Sequence, residues 1–313
     1  MLAHTPYDGQ SKPFSVALKL LDLADWIEVD GRLASDLEEK AALFSADAAN
    51  VFGAEADTVA AQAEVLDLVA RHLSERFPDV YTPVIDQEDR LRAMLVTPPR
   101  AADGRQPPVR GVVLVDPAEA PLWTAAKLVQ EDLVLMRRGE TGWRIAAAAL
   151  AFPSSWRLAD KFGRDMATIH QTVPGFPGRM AEIVGRIFDN LKVDQPVWRL
   201  NWSIYADPKL HHSEPHERGR HWEGADDKLA AAAFIRVERQ TLRRLPVSGD
   251  ILFTIRIFVD PFGALLEHPD GRQLAARLRQ QLLELNQDQL DYKGLDAERD
   301  KVAAALQRIA EAG

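Results

Sequence analysis

Apolar residues recur along this chain with two periods, and the change between them organises it. Val59, Val65, Leu68, Val69 and Leu73 lie close to helical spacing and predict an amphipathic helix over Ala56 to Arg76, with another over Leu33 to Ser45. The middle runs are shorter. Gly111 to Asp116 and Glu131 to Met136 read as strands with a helix over Leu122 to Val129 between them, and Trp143 to Leu150, stopped by Pro153, as a third strand. Ser154 or Ser155 is a candidate cap for a short helix through Phe162, closed by Gly163. Met180, Ile183, Val184, Ile187 and Phe188 predict a helix over Pro177 to Leu191.

The clearest strands follow: Val197 to Tyr205, Ala233 to Leu242 and Asp250 to Val259. Ile235 with Val237, and Ile251, Phe253, Ile255 and Ile257, alternate as in a sheet with one buried face. Pro246 to Gly249 suits a tight connection, and Pro98 to Pro108 an exposed loop. Helices over Gly271 to Leu285 and Leu295 to Ala312 finish the pattern. Strands and helices are not regularly interleaved, so the fold class expected is α+β. No internal repeat is present. The expected organisation is one compact unit: largely helical elements over 1–85, a core over 86–270 and terminal helices over 271–313.

Composition narrows the chemistry. The chain has no cysteine, which excludes disulfides, a thiol nucleophile, a thiolate-ligated heme and cysteine-held iron–sulfur clusters. A net charge of -9 with scattered Lys and Arg gives no basic face, so nucleic acid is not an expected partner. No apolar run reaches the ~20 residues of a membrane span, and the N-terminus lacks the layout of a signal peptide. A cytoplasmic protein with no membrane partner is expected. Dinucleotide, phosphate-loop and serine-elbow motifs are missing as well.

Histidines are the remaining metal ligands of note. His211, His212, His216 and His221 crowd one polar segment with Glu214 and Glu217, a candidate zinc or non-heme iron site, although Pro215 disrupts the helix that would align His212 with His216. His170 differs, because Met166, Ile169, Val173 and Pro174 surround it in the sequence. Such a residue is either a hydrogen-bonded core histidine or an axial heme ligand, since both need apolar walls and one fixed ring nitrogen. Polar groups also sit inside strands. Arg199 and Asn201 share one face, and Arg236, Glu238 and Gln240 share another. They are either structural ion pairs or arginine forks awaiting a carboxylate. Asn201-Trp-Ser203 matches a glycosylation acceptor, which carries no meaning on a cytoplasmic strand.

Taken in order, Trp26-Ile-Glu-Val-Asp30, Gln130 to Met136, the Pro153 to Pro174 block with Ile169-His170, Arg199-x-Asn201-Trp202, Arg236 to Leu242 and Phe253-Thr-Ile-Arg256 resemble the heme-dependent oxidative N-demethylase family. The likeness spans about residues 14 to 265. It implies heme b in a PAS-like fold, a curved antiparallel sheet flanked by helices. It further implies oxidation of an N-methyl group on a small secondary amine such as dimethylamine, with dioxygen and with electrons from NADPH through flavin and iron–sulfur reductase components. A cysteine-free chain needs those as separate partners. On this resemblance His170 is the candidate axial ligand, with His221 or the His211/His212 pair as alternatives. Arg199 and Arg236 are candidates for heme propionates or structural pairing, and Glu238 for an ammonium substrate. Two rival readings stand beside it: a non-catalytic heme- or ligand-sensing PAS-like module, and a non-heme metal enzyme built on His211 to His221.

Overall fold

The computed structural model describes residues 2–10, 12–99, 111–214, 228 and 231–312. Among the described residues ten strands form two antiparallel sheets: β1 Lys19–Leu20, β2 Phe52–Ala54, β3 Tyr81–Ile85, β4 Leu91–Val96, β5 Gly111–Leu114, β6 Asp132–Arg138, β7 Trp143–Ala149, β8 Val197–Tyr205, β9 Phe234–Arg244 and β10 Ile251–Pro261. Seven make the main sheet in the order β1-β8-β9-β10-β6-β7-β2, and β3-β4-β5 form a separate meander. With the helices packed on them this is an α+β chain, as the irregular interleaving of periods predicts.

The β9–β10 hairpin is the longest ladder, running from Ile251 opposite Arg244 to Pro261 opposite Phe234. Gly249 closes its connection at φ 75°, a left-handed conformation that costs a glycine little, and the Leu245 amide donates to the Asp250 carbonyl at 2.8 Å. On β9 and β10, Ile235, Arg236 and Val237 are buried consecutively, as are Ile255, Arg256, Ile257 and Phe258. The expected single buried face is therefore incorrect. Helices Leu33–Ala46, Val59–Arg76 and Pro121–Ala126 pack on one part of the sheet in a cluster with Leu133, Leu135 and Leu252. Helices Gly271–Leu283 and Arg299–Glu311 cover Trp202, Ile204, Ile235 and Val237. Val134, Met136, Leu242 and Phe253 lie at the alternate positions and meet short helices from the Leu158–Asn190 region. Cover on both sides removes the polar half of the alternation.

Several elements differ from the reading of the sequence. Ser155 caps no helix. It is buried at φ 60°, its hydroxyl 2.9 Å from that of Tyr205, and the helix after it is only Leu158–Lys161. The helix expected from Pro177 begins as a π-type turn, Phe176–Met180, before Ala181–Asn190 continues it. The last helix starts at Arg299 rather than Leu295, after a turn over 296–298, and a further helix, Gln287–Lys293, ended by Gly294 at φ 65°, was not expected.

His72 lies within the Val59–Arg76 helix, edge-on to Trp26 at 5.1 Å, and its buried Nε2 has no hydrogen-bond partner. Burial first, then Arg243 and Arg76, lower its pKa from 6.5 to about 4. Unfolded chains take up this proton near pH 6.5, whereas the folded chain resists it until about pH 4. The stability associated with neutral His72 is thus complete above the unfolded value and lost as pH falls through the folded one. Urea midpoints measured from pH 7 to 4 should fall steadily in the parent. In His72→Phe the fall should be shallower.

Candidate functional site

A cavity of ≈ 260 Å³ lies between the main sheet and the segment carrying the short helices. Its sheet wall is bipartite by register. Arg199 faces Gln240 across β8 and β9, and Asn201 faces Glu238. Further across, Leu242, Phe253, Val134 and Met136 make the wall apolar. Opposite stand Trp156, Met166, Ile169, His170, Phe176 and Phe188. The apolar periodicity of the sequence built both walls, but β8 and β9 had to pair before the polar residues became one patch.

His170 ends the one-turn helix Met166–Ile169, whose N-cap is Asp165, with its side chain accepting from the Thr168 amide at 2.9 Å. That turn places the Met166 carbonyl 3.0 Å from His170 Nδ1. With Nδ1 donating, Nε2 is the nitrogen left to take a metal. The ring also stacks on Phe176, with centroids 4.4 Å apart and planes at 21°. Burial lowers the His170 pKa to about 4, against the opposing pull of the Met166 carbonyl, so the imidazole is neutral at pH 7. A fixed tautomer, a neutral ring and apolar walls suit an axial heme ligand.

Arg199 is partly buried in the cavity wall, and its buried Nε has no hydrogen-bond partner. Desolvation lowers its pKa, partly offset by the negative charge of Glu238 and by Tyr292. Glu238 Oε2 accepts from Gln240 at 2.7 Å and from Asn201 at 3.5 Å. Arg236 belongs to another arrangement. Its Nε donates to Ser154 Oγ at 2.9 Å, its Nη1 to the Lys209 carbonyl at 3.0 Å, and its Nη2 to carbonyls of Phe152, Pro153 and Leu210 at 2.8–3.3 Å. It clamps two chain segments together. The strand pattern alone did not separate Arg199 from Arg236, because both occupy the same sheet face.

The N-terminal segment contributes Phe14, Ser15, Val16 and Leu18 to the cavity. No periodic signal marks it, and only the fold brings it here. Phe14 and Ala17 both have positive φ, 58° and 41°, an unusual backbone for residues with a Cβ. Phe14 packs edge-on against Tyr292 at 5.7 Å, which draws the Gln287–Lys293 helix into the same wall.

The histidine cluster is only partly described. His211 Nδ1 bonds the Ala151 carbonyl at 2.7 Å, and the His212 ring lies 4.7 Å from Tyr205 with Nε2 3.3 Å from Asp207. His216, Glu217 and His221 lie outside the described residues. Among the described residues, no three His, Cys, Asp or Glu side chains gather as a metal site. No described helix is long and apolar enough to cross a membrane.

Other segments behind the sequence resemblance meet away from the cavity. Arg256 pairs with Asp30 at 2.9 Å and Asp36 at 3.2 Å, and Gln130 donates to both carboxylates. Arg239 pairs with Glu28 at 2.6 Å and donates to the Trp26 carbonyl at 3.0 Å. By strand alternation Arg239 and Arg256 project from the opposite face to Glu238. The quoted motifs thus split into a cavity wall and a buried polar knot behind it. Over residues 17–303 the chain matches the family described as haem-dependent oxidative N-demethylase, alpha subunit-like, and it belongs to that family.

Proposed function

We propose that this chain holds heme b through His170 and oxidatively demethylates a small secondary amine. The observation that carries the reading is the neutral, partly buried His170, with Nδ1 committed to Met166 and its ring in a largely apolar cavity. Among the main-sheet strands, the order β7-β6-β10-β9-β8 with short helices against one face supports the PAS-like description. Bound heme supplies dioxygen activation, with electrons from NADPH through a separate flavin and iron–sulfur reductase. The alpha-subunit-like family description supports such a partner, and a chain without cysteine cannot ligate the cluster itself with thiolates.

The chain's own groups bind, orient and exclude water. Glu238 receives the substrate ammonium, with Gln240 and Asn201 holding Oε2. Val134, Met136 and Phe253 provide a dry wall for the methyl group. Arg199 is the cavity's receptor for an acid. Each turnover consumes the amine, one dioxygen, two electrons and two protons. It yields the demethylated primary amine, formaldehyde and water, with one oxygen atom in each of the last two.

An absorption spectrum of protein expressed with heme precursor, before and after dithionite, tests the reading first. A stoichiometric Soret band that shifts on reduction and again with carbon monoxide is expected. No such band, even after hemin titration, would end it. Formaldehyde release with amine, NADPH and a reductase separates an enzyme from a gas-sensing module, which would bind carbon monoxide without turnover.

A further inference from the structure

We infer that the polar wall of the cavity receives a zwitterion: a small N-methylated amino acid, its carboxylate on Arg199 and its secondary ammonium on Glu238. This deepens the proposed amine reading and rests on it. Arg236, Arg239 and Arg256 are fully buried, and each is engaged by carboxylates or backbone carbonyls. Arg199 is the contrast. It lines the cavity beside Glu238 and forms no ion pair with any described residue, whereas Arg239 and Arg256, whose Nε atoms likewise make no hydrogen bond, have carboxylate partners. The carboxylate partners found for Glu238 are the neutral amides of Gln240 and Asn201.

Register explains how opposite charges can share a wall without meeting. Asn201 lies directly across from Glu238, and Arg199 is two residues further along the same face. Diagonal positions of this kind are about 7–8 Å apart. A compact ligand with one positive and one negative group can therefore stand between the two side chains. A simple dialkylammonium answers Glu238 alone. It leaves the guanidinium without a counter-charge and adds a second cation beside it, an unfavourable arrangement away from water. An amino acid is neutral overall and supplies both partners, with a carboxylate suited to the two-pronged guanidinium. A heme carboxylate is the competing claimant for Arg199. Against it, Arg199 and Glu238 belong together on the sheet, across the cavity from His170.

The test titrates heme-loaded protein with N-methylglycine and with dimethylammonium, following the spectral shift, and repeats both calorimetrically on heme-free protein. N-methylglycine should bind at least about tenfold more tightly, since a buried receptor group discriminates strongly against ligands that leave it unpaired. Arg199→Gln should erase that preference from both sides, weakening N-methylglycine and tightening dimethylammonium as the neighbouring cation is removed, while Glu238→Gln weakens both ligands. Arg199→Lys, which keeps the charge and loses the fork, should retain part of the preference. Equal or tighter binding of dimethylammonium to the parent would overturn the inference. So would an Arg199→Gln variant that loses heme affinity but keeps the parent's preference. A missing Soret band with the preference intact on heme-free protein would overturn the heme reading alone.

Discussion

His170→Ala is expected to abolish the Soret signature of a histidine-ligated heme and to weaken heme binding by at least about a hundredfold. Loss of groups that merely orient a metal ligand costs 10–100-fold in affinity, so loss of the ligand sets a larger effect. The variant should fold, because His170 lies at the end of a one-turn helix and its side chain bonds only the Met166 carbonyl among the hydrogen bonds found. Hemin titration of parent and variant measures the effect, and added imidazole should restore part of the parent spectrum by filling the space left beside Phe176. His211→Ala is the informative comparison: its ring is tied to the Ala151 carbonyl, so the spectrum should not change. An unchanged spectrum in His170→Ala would remove that residue from the axial role. Loss of the band in His221→Ala instead would move the role to the polar segment.

Arg236→Ala should produce the largest loss of stability, about 3–5 kcal/mol from several stranded acceptors at roughly 1–3 kcal/mol each, read from urea unfolding at neutral pH. The side chain is 1% exposed and joins the carbonyls of Phe152 and Pro153 to those of Lys209 and Leu210. Truncation leaves those acceptors facing a void, and an unsatisfied buried polar group costs more than a made hydrogen bond contributes. Arg236→Lys should recover little, since one ammonium cannot reproduce the spread of the guanidinium. A propionate-binding Arg236 predicts the opposite division: near-parent stability of the heme-free chain and a large loss of heme affinity. Measuring both quantities on the same variant decides between the two roles.

These expectations differ in how far the sequence carried them. Long periodic elements were legible. The strand Val197–Tyr205 has the bounds its alternation predicts, and the Val59–Arg76 helix begins three residues after its predicted start. The meander of β3 and β4 was not legible, because Pro83 interrupts the first and Asp86 to Arg90 follows it as a charged turn. At the candidate site, residue types distinguished His170 and the arginines as unusual. Nothing along the chain indicated that Phe14 to Leu18 would return to line the cavity.

By itself the sequence determined the α+β class, the absence of thiol chemistry and the short set of polar residues embedded in apolar strands, because each follows from residue type and local period. Partnership was decided only by the tertiary structure. Arg199 and Arg236 have the same charge and share a strand-pair face, but the crossing of residues 152–155 with 209–212 satisfies one and leaves the other in a cavity. Likewise, Trp26 to Asp30 entered a buried ion-pair knot rather than the cavity through Arg239 and Arg256, more than two hundred residues away in the chain, and Gln130 joined it through Asp30 and Asp36. Local pattern sets which groups are buried, whereas charge satisfaction depends on what distant segments bring beside them.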